Sequence, residues 1–399
     1  MIKSIKIKNF KSVVDLSLDL GSFNVLIGEN GCGKSNILEA IGFGAAASAN
    51  KLDYEFLGSR GLRVTNPEFM FSAFTGRKEE NIIRLDFNID NEQHFFDLIN
   101  DPDNSKKWVD KNLKLITKSL KDLNFTELMK VNDIIDKSIK FPVKNEIDNF
   151  FKTSDIENQL AKINNQIQIL QSKGLLTSSE PDLSNFIIYS PEQSSLRKFE
   201  ETTQIYPLGI RGEGLFQYLK ELAYDEKNKQ TIAEIKQNMI LLDWYEDFDL
   251  PESLMKNEFS LKIRDKYLND NLQYFDQRST NEGFLFLLFY STLFISKITP
   301  SFFAIDNIDT SFNPKLCIQL VKNLTALAKK HNKQVIITTH NPAILDGLNL
   351  EDDNQRLFVV RRNDEGHTKA KRIEYKSERR MKLSEIWTKG FIGGLPENF

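Results

Sequence analysis

One glycine-rich segment, GENGCGKS at residues 28–35, constrains the fold of this chain more than any other feature. The apolar run NVLI before it is typical of a short buried strand, and SNILEAI after it has the apolar spacing of a helix. Gly28, Gly31 and Gly33 let the backbone curl so that successive N–H groups point into one concavity, at the positive end of the helix dipole. This strand–loop–helix order is that of a phosphate-binding P-loop and predicts an α/β fold.

The residues at the end of this segment predict a site for ATP and Mg²⁺. Lys34 is placed to reach the β- and γ-phosphates, and the Ser35 hydroxyl is placed to bind Mg²⁺. Cys32 is expected to act only as a small residue in the loop. Because Cys32 and Cys317 are far apart and lack a CxxC partner, the sequence predicts neither a disulfide framework nor a zinc site, which fits a reducing compartment.

Two further apolar runs end in polar side chains that suit a nucleotide site. Phe302–Ile305 predicts a buried strand, and Asp306 follows it in the position of the aspartate that holds the metal in P-loop proteins. Asn307 comes next, where a second acid is expected. Val335–Thr338 predicts another buried strand, ended by Thr339 and His340. Alone, such a histidine is more often structural, but together with the other two segments it indicates contact with the γ-phosphate or the attacking water.

Taken together, these segments resemble the ABC-type ATPase heads of the SMC and RecF group, and within it the stand-alone ATPases related to the OLD proteins of phage defence. The resemblance covers about the first 95 residues and most of 183–399. It is carried by IKIKNFKS, GENGCGKSNILEAI, SPEQSSLRKF, PLGIRGEGLFQYL, FFAIDNIDTSFNP and TTHNPAILD. It implies an ABC-type P-loop NTPase head, with a mixed sheet flanked by helices, that dimerises head to tail around two ATP molecules.

The same resemblance implies roles for individual residues. Asn30, Gly31, Cys32, Gly33 and Asn36 would join Lys34 and Ser35 around the nucleotide, and Ser35 and Asp306 would hold Mg²⁺. It places Lys11 near the nucleotide, where the family usually has arginine, and it identifies His340 as the switch histidine.

The signature motif of the group departs from its usual form. In the family a Ser-Gly pair opens a helix that caps the ATP of the partner, whereas this chain has STNEGFLFLLF at residues 279–289. The resemblance implies capping of ATP by Asn281 and Gly283. The alternative is that Asn281 or Ser279 merely caps the N-terminus of a buried helix, and both readings stay open. The apolar run Phe284–Ile295 is too short to span a bilayer and predicts that buried helix.

A second departure concerns hydrolysis. The group has a glutamate after the metal-side aspartate to polarise the attacking water, and this chain has Asn307. An amide can orient a water but cannot take its proton, and loss of a general base costs about 10²- to 10⁴-fold in rate. We therefore predict slow hydrolysis, unless Asp309 of the same or the facing subunit acts as the base. A slow ATPase suits a sensor or guard better than a motor.

We predict three regions: an ATPase lobe at 1–95, a helical insertion at 96–182 and a second lobe at 183–399. The insertion is rich in Lys, Asp and Asn. Its heptad spacing extends over about two heptads, which favours a short helical hairpin over a long arm; the apolar positions are Ile156, Leu160, Ile163, Ile167 and Leu170. The lysines between positions 106 and 121 suit either a solvated helix face, which we favour, or contact with nucleic acid.

The overall composition places few limits on function. Hydrophobic residues make up 40% of the chain, charged residues 27%, and the net charge is −3, values of an ordinary globular protein without a global basic field. The N-terminus lacks the apolar stretch of a signal peptide, so we expect a cytoplasmic protein without a membrane partner. We predict an ATP-gated sensor or regulator of a separate effector chain, such as a nuclease in anti-phage defence. The alternative is a DNA-binding SMC/RecF-like ATPase of DNA repair or chromosome maintenance.

Overall fold

The computed structural model describes residues 1–74, 81–102, 104–111, 183–198, 205–250, 261–269, 272, 274–378 and 380–395. Its first sheet is antiparallel and contains β1 (Ile2–Phe10), β2 (Val13–Asp19), β4 (Ile83–Ile89), β5 (Glu92–Asp101) and β6 (Asn104–Asp110). The strand order across this sheet is β2-β1-β4-β5-β6.

The second sheet carries the predicted phosphate site. It contains β3 (Phe23–Ile27), β7 (Ile188–Tyr189), β10 (Phe302–Ile305), β11 (Gln334–Thr339), β12 (Gln355–Arg362) and β13 (Thr368–Ile373), in the order β13-β12-β3-β11-β10-β7. Strands β12, β3, β11, β10 and β7 are parallel, and β13 returns antiparallel to β12. A small separate pair is formed by β8 (Tyr245–Asp249) and β9 (Lys262–Asp265).

The helices within these ranges are α1 (Lys34–Ser48), α2 (Tyr54–Ser59), α3 (Gln193–Leu196), α4 (Leu215–Tyr224), α5 (Lys229–Met239), α6 (Glu282–Ile295), α7 (Pro314–Lys330) and α8 (Leu383–Thr388). Helix α6 is buried from Gly283 to Ile295, which confirms the predicted buried helix. In the part of the chain that the structure describes, no helix has the length and apolar character needed to cross a membrane.

The second sheet lies between two hydrophobic cores. Successive side chains of a strand point to opposite faces, so Val25 and Ile27 of β3 belong to one core and Leu26 belongs to the other. The first core is filled mainly by α4, α5, α6 and α7. The second contains α1 and the inner face of the antiparallel sheet. This packing fixes the carboxyl ends of the parallel strands beside the start of α1.

The structure agrees with three of the predicted strands and corrects the predicted insertion. The strands predicted before the P-loop, before Asp306 and before His340 are confirmed as β3, β10 and β11. The helical insertion predicted from residue 96 is wrong in its first part, because residues 96–101 belong to β5 and residues 104–110 form β6. Lys106 and Lys107 are exposed on β6, not on a helix. Residues 112–182, which include the heptad positions, lie outside the described residues.

Candidate nucleotide-binding site

The loop between β3 and α1 adopts a conformation that requires glycine. Gly31 has φ of 75° and Gly33 has φ of 107°, values that side-chain-bearing residues rarely adopt. A Cβ atom on Gly33 would lie 2.0 Å from Thr368 Oγ1, and one on Gly28 would lie 2.1 Å from the carbonyl oxygen of Val360. Nothing lies within 4 Å of the corresponding point on Gly31, which is exposed at the tip together with Asn30. The glycines thus allow both the turn and its close packing.

Lys34 is held inside the concavity of this loop. Its side chain is buried, and Nζ donates hydrogen bonds to the carbonyl oxygens of Gly28 and Glu29, both at 2.9 Å. Burial lowers the pKa of Lys34, although the nearby acids Asp306 and Asp309 oppose that shift. The loop carbonyls therefore keep the ammonium group in position for a phosphate to bind.

Cys32 packs beneath the same loop. Its side chain is fully buried, and Sγ lies 3.7 Å from Nζ of Lys34. Burial raises the pKa of the Cys32 thiol above its ordinary value of 9.0, so the group stays protonated near neutral pH. Cys32 and Cys317 are both free and buried. These features agree with the predicted role of Cys32 as a small packing residue.

The metal-side residues lie where α1 meets the ends of β10 and β11. Ser35 Oγ donates to Asp306 Oδ2 at 3.0 Å, and Thr338 Oγ1 donates to Asp306 Oδ1 at 2.5 Å. A hydroxyl and a carboxylate oxygen that face each other are hard ligands of the kind Mg²⁺ prefers, so Ser35 and Asp306 fit the ion. Thr338 was missed by the sequence reasoning, although it is a polar residue at the end of a buried strand next to β10.

The segment after Asp306 is fixed by backbone and threonine contacts. Asn307 has φ of 56°, in the left-handed region, and its side chain is exposed. Its N–H donates to Thr338 Oγ1 at 2.9 Å, and its carbonyl accepts from Thr310 Oγ1 at 2.9 Å. Asp309 Oδ1 accepts from Thr339 Oγ1 at 2.6 Å. Asp309, the alternative general base, is therefore held by a hydrogen bond from β11.

His340 directly follows β11 and lies at the same edge of the sheet. Burial and then the positive charge of Lys34 lower the pKa of His340, while Asp309, Asp306 and a hydrogen bond with the backbone of Gly28 act in the opposite direction. The imidazole is therefore neutral near pH 7. The structure thus brings Lys34, Asp306, Asp309 and His340 together, and the positions of Asp306 and His340 at strand ends agree with the prediction.

Lys11 lies beside the first turns of α1, but its charge is already paired. Its Nζ lies 2.5 Å from Glu39 Oε2, and Arg63 Nε lies 2.5 Å from Glu39 Oε1. The side chain of Glu39 is only 3% exposed, one turn of α1 beyond Ser35. Glu39 and Arg63 were missed by the sequence reasoning. The available signal was a single acid within the otherwise apolar stretch ILEAIGF.

The two remaining asparagines with predicted nucleotide contacts make contacts within the chain. Asn36 Nδ2 donates to Ser12 Oγ at 2.7 Å. Asn281 is the N-cap of α6, where its Oδ1 accepts from the N–H of Phe284 at 2.9 Å. Gly283 is buried in the first turn of that helix. Helix capping by Asn281 is thus present, while capping of a partner's ATP by Asn281 and Gly283 stays a prediction.

The sequence of this chain is similar to those of known ATPases. A family model described as AAA ATPase domain matches residues 1–345. The chromosome partition protein Smc of Coxiella burnetii is 34% identical over 95 residues, which are 23% of this chain and 7% of that protein. Smc of Lactiplantibacillus plantarum is 33% identical over 99 residues, or 24% of this chain and 8% of that protein. The matches therefore span less than a tenth of these two relatives.

Comparison with solved structures concerns the fold. A crystal structure of an Smc head bound to the C-winged helix domain of ScpA superposes with a TM-score of 0.53 at 15% identity, covering 94% of this chain and 98% of that one. This similarity confirms the predicted fold class, an α/β P-loop ATPase head. Because the family model covers most of the sequence and the P-loop geometry is complete, the chain belongs to the AAA ATPase domain family and has the fold of an SMC-type ATPase head.

Proposed function

We propose that this protein is an ATP-gated switch that binds Mg²⁺–ATP firmly and hydrolyses it slowly. The observation that carries the proposal is that Asp306 is followed by Asn307, whose exposed side chain ends in an amide and not in a carboxylate. The nearest alternative base, Asp309, accepts a hydrogen bond from Thr339 at 2.6 Å. Without a general base, hydrolysis is slower by about 10²- to 10⁴-fold. The ATP-bound form then persists as a signal.

The residues around the loop support binding of the triphosphate. Lys34 supplies a buried positive charge, and the N–H groups at the start of α1 supply further donors. Ser35 and Asp306 would hold Mg²⁺, which neutralises charge on the phosphate oxygens when bound. His340, neutral near pH 7, would donate or accept a hydrogen bond at the terminal phosphate or the attacking water.

Head-to-tail dimerisation around two nucleotides belongs to the same proposal. The start of α6 is at the surface, with Asn281 exposed, and it lies against the segment that follows Asp309, because Ser311 Oγ donates to Glu282 Oε2 at 2.5 Å. A helix N-terminus attracts phosphate through its free N–H groups and dipole. In a dimer this surface would meet the ATP on the facing protomer, and larger assemblies could form from such dimers.

A regulatory role through a separate effector chain completes the proposal. A switch that turns over slowly suits control of a partner, and the resemblance to OLD-like ATPases favours a nuclease partner in anti-phage defence. Two free cysteines agree with a reducing cytoplasm. The second candidate is a DNA-binding ATPase of repair or chromosome maintenance, favoured by the sequence similarity to two Smc proteins over 95 and 99 residues.

The test combines binding, turnover and co-purification. We expect calorimetry to show firm Mg²⁺–ATP binding by the wild type and none by folded Lys34→Ala, and we expect turnover far below the usual median of about 10 s⁻¹. A folded wild type that binds no ATP, or one that hydrolyses it briskly, would refute the switch. A stoichiometric protein partner supports the effector role, whereas salt-sensitive DNA binding by the isolated chain supports the second candidate.

A further inference from the structure

The hairpin of β12 and β13 contacts the P-loop directly. Arg362, the last residue of β12, donates from Nε to the carbonyl oxygen of Gly31 at 2.9 Å. Thr368, the first residue of β13, donates from Oγ1 to the carbonyl oxygen of Cys32 at 2.9 Å. Both residues lie beyond position 345, where the match to the family model ends. Residues far outside the P-loop motif therefore hold two of the loop's carbonyl groups.

The contact of Thr368 is part of a directed chain of hydrogen bonds. Asn36 Nδ2 lies 2.7 Å from Ser12 Oγ, which lies 2.7 Å from Thr368 Oγ1. A hydroxyl has a single proton to donate. Because Thr368 gives its proton to Cys32, Ser12 must donate to Thr368 and accept from Asn36. The bonds therefore run from the first turn of α1 to the loop and close a ring around Gly33, and both hydroxyl residues are buried.

These bonds fix the orientation of two peptide groups. In a trans peptide the C=O and the following N–H point to opposite sides, and both peptides after Gly31 and Cys32 are trans. Holding the two carbonyls from outside therefore directs the N–H groups of Cys32 and Gly33 to the other side. In a P-loop these N–H groups are the phosphate donors. Among the described residues nothing lies within 4 Å of the Cβ position of Gly31 at the exposed tip, while Arg362 holds the carbonyl of the following peptide.

We infer that Thr368 and Arg362 are positioning residues for the triphosphate, which orient the P-loop amides before ATP arrives. The inference rests on the proposed function, since it assumes that the loop binds ATP. A loop that is already ordered binds its ligand without a further loss of conformational freedom. Loss of either side chain should therefore weaken binding of phosphates, with no effect on recognition of the adenosine part.

The test uses two matched pairs of variants in the full chain. Thr368→Val removes the hydroxyl at nearly constant shape, and Thr368→Ser keeps it. Arg362→Gln removes the charged donor, and Arg361→Gln removes the neighbouring charge on the same strand. We expect Thr368→Val and Arg362→Gln to bind Mg²⁺–ATP about 5- to 30-fold more weakly, because the loop residue that each side chain held must then be ordered when ATP binds. We expect the two controls to match the wild type.

A second ligand and a second measurement separate positioning from general stability. Inorganic tripolyphosphate lacks the nucleoside, so each positioning variant should lose the same factor for it as for ATP. Melting temperatures show whether a variant is less stable overall. A residue that acts only on stability would lower the melting temperature and leave both affinities unchanged, and this result would overturn the inference.

The remaining outcomes are also decisive. If a folded variant keeps wild-type affinity for ATP, or loses affinity for ATP but not for tripolyphosphate, its side chain does not position the phosphate donors and the inference fails for that residue. If Thr368→Val does not fold, Arg362→Gln decides, because Arg362 is exposed and outside the core. A wild type that binds no ATP would instead refute the proposed function itself.

Discussion

Replacing Asn307 by glutamate tests the chemistry and the backbone of the site together. Asn307 has φ of 56°, and asparagine is among the few residues other than glycine that visit this left-handed region readily. Its N–H and C=O are held by Thr338 and Thr310, so the backbone cannot relax freely. A glutamate in the same conformation should lower the free energy of unfolding by about 1 kcal/mol.

Asn307→Glu should lower the stability slightly but raise the rate of ATP hydrolysis, and the effect on the rate should be the larger of the two. The new carboxylate would follow Asp306, at a side chain that is exposed and therefore free to meet the attacking water. A general base accelerates such a step by about 10²- to 10⁴-fold, equivalent to about 3 to 5 kcal/mol of activation free energy. We therefore expect a less stable protein that hydrolyses ATP much faster.

The assay is steady-state phosphate release at saturating Mg²⁺–ATP, combined with urea unfolding. Asn307→Gln is the matched control, because it has the size and backbone cost of glutamate but cannot accept a proton. The reasoning fails if glutamate leaves turnover unchanged, or if glutamine raises it equally. Brisk wild-type turnover that is abolished by Asp309→Asn would show instead that Asp309 is the base and that the protein is not a slow switch.

The buried charges of Lys34, Glu39 and Lys333 can each be removed by a single substitution. Lys34→Ala should abolish Mg²⁺–ATP binding in calorimetry while circular dichroism shows an intact fold; unchanged affinity would contradict the P-loop assignment. Glu39→Gln leaves the largely buried ammonium of Lys11 without its carboxylate, whereas Arg63 is largely exposed; urea unfolding should therefore show a loss of about 3 kcal/mol, and a loss well below that would mean that the Lys11–Glu39 pair is weak. Burial lowers the pKa of Lys333 to about 7 from 10.5, so between these pH values the folded protein binds fewer protons than the unfolded chain. The free energy of unfolding of the wild type should therefore rise with pH in this range relative to that of Lys333→Met. The same pH dependence of this free energy in both proteins would exclude the lowered pKa.

The parts of the fold that were predictable are those with a strong local pattern. The P-loop was identified because its glycines, the apolar strand before it and the periodic helix after it are all local in sequence. The same holds for α6, whose long apolar run is interrupted only by Ser291 and Thr292. Strands β5 and β6 were not predicted, because few of their residues are buried: Phe96 and Leu98 are buried in β5, and Trp108 is buried in β6. Strands with so few buried side chains, the last of them at the edge of the sheet, have a composition close to that of a solvated segment.

The candidate site also contains some residues that the sequence predicts and others that it does not. Lys34, Ser35 and Asp306 belong to motifs, and their positions at strand ends follow from the topology of parallel sheets. Ser12 and Thr368 could not be predicted from the sequence, and Thr338 was marked only by its place near the end of a buried strand. Serine and threonine are common in every kind of segment, and their roles depend on partners that are distant in the chain, such as Thr368 and Cys32.

Asn307 shows why a residue in a motif needs both a chemical and a conformational account. By chemistry, the amide is a missing base, and this account led to the prediction of slow hydrolysis. By conformation, the residue occupies a left-handed turn between two threonine contacts, where asparagine is favoured over glutamate whatever the reaction. The two accounts are compatible, because a turn that favours asparagine also withholds the carboxylate. Whether the protein is a switch therefore depends on Asp309, whose carboxylate accepts a hydrogen bond from Thr339 and would have to leave it to act as a base.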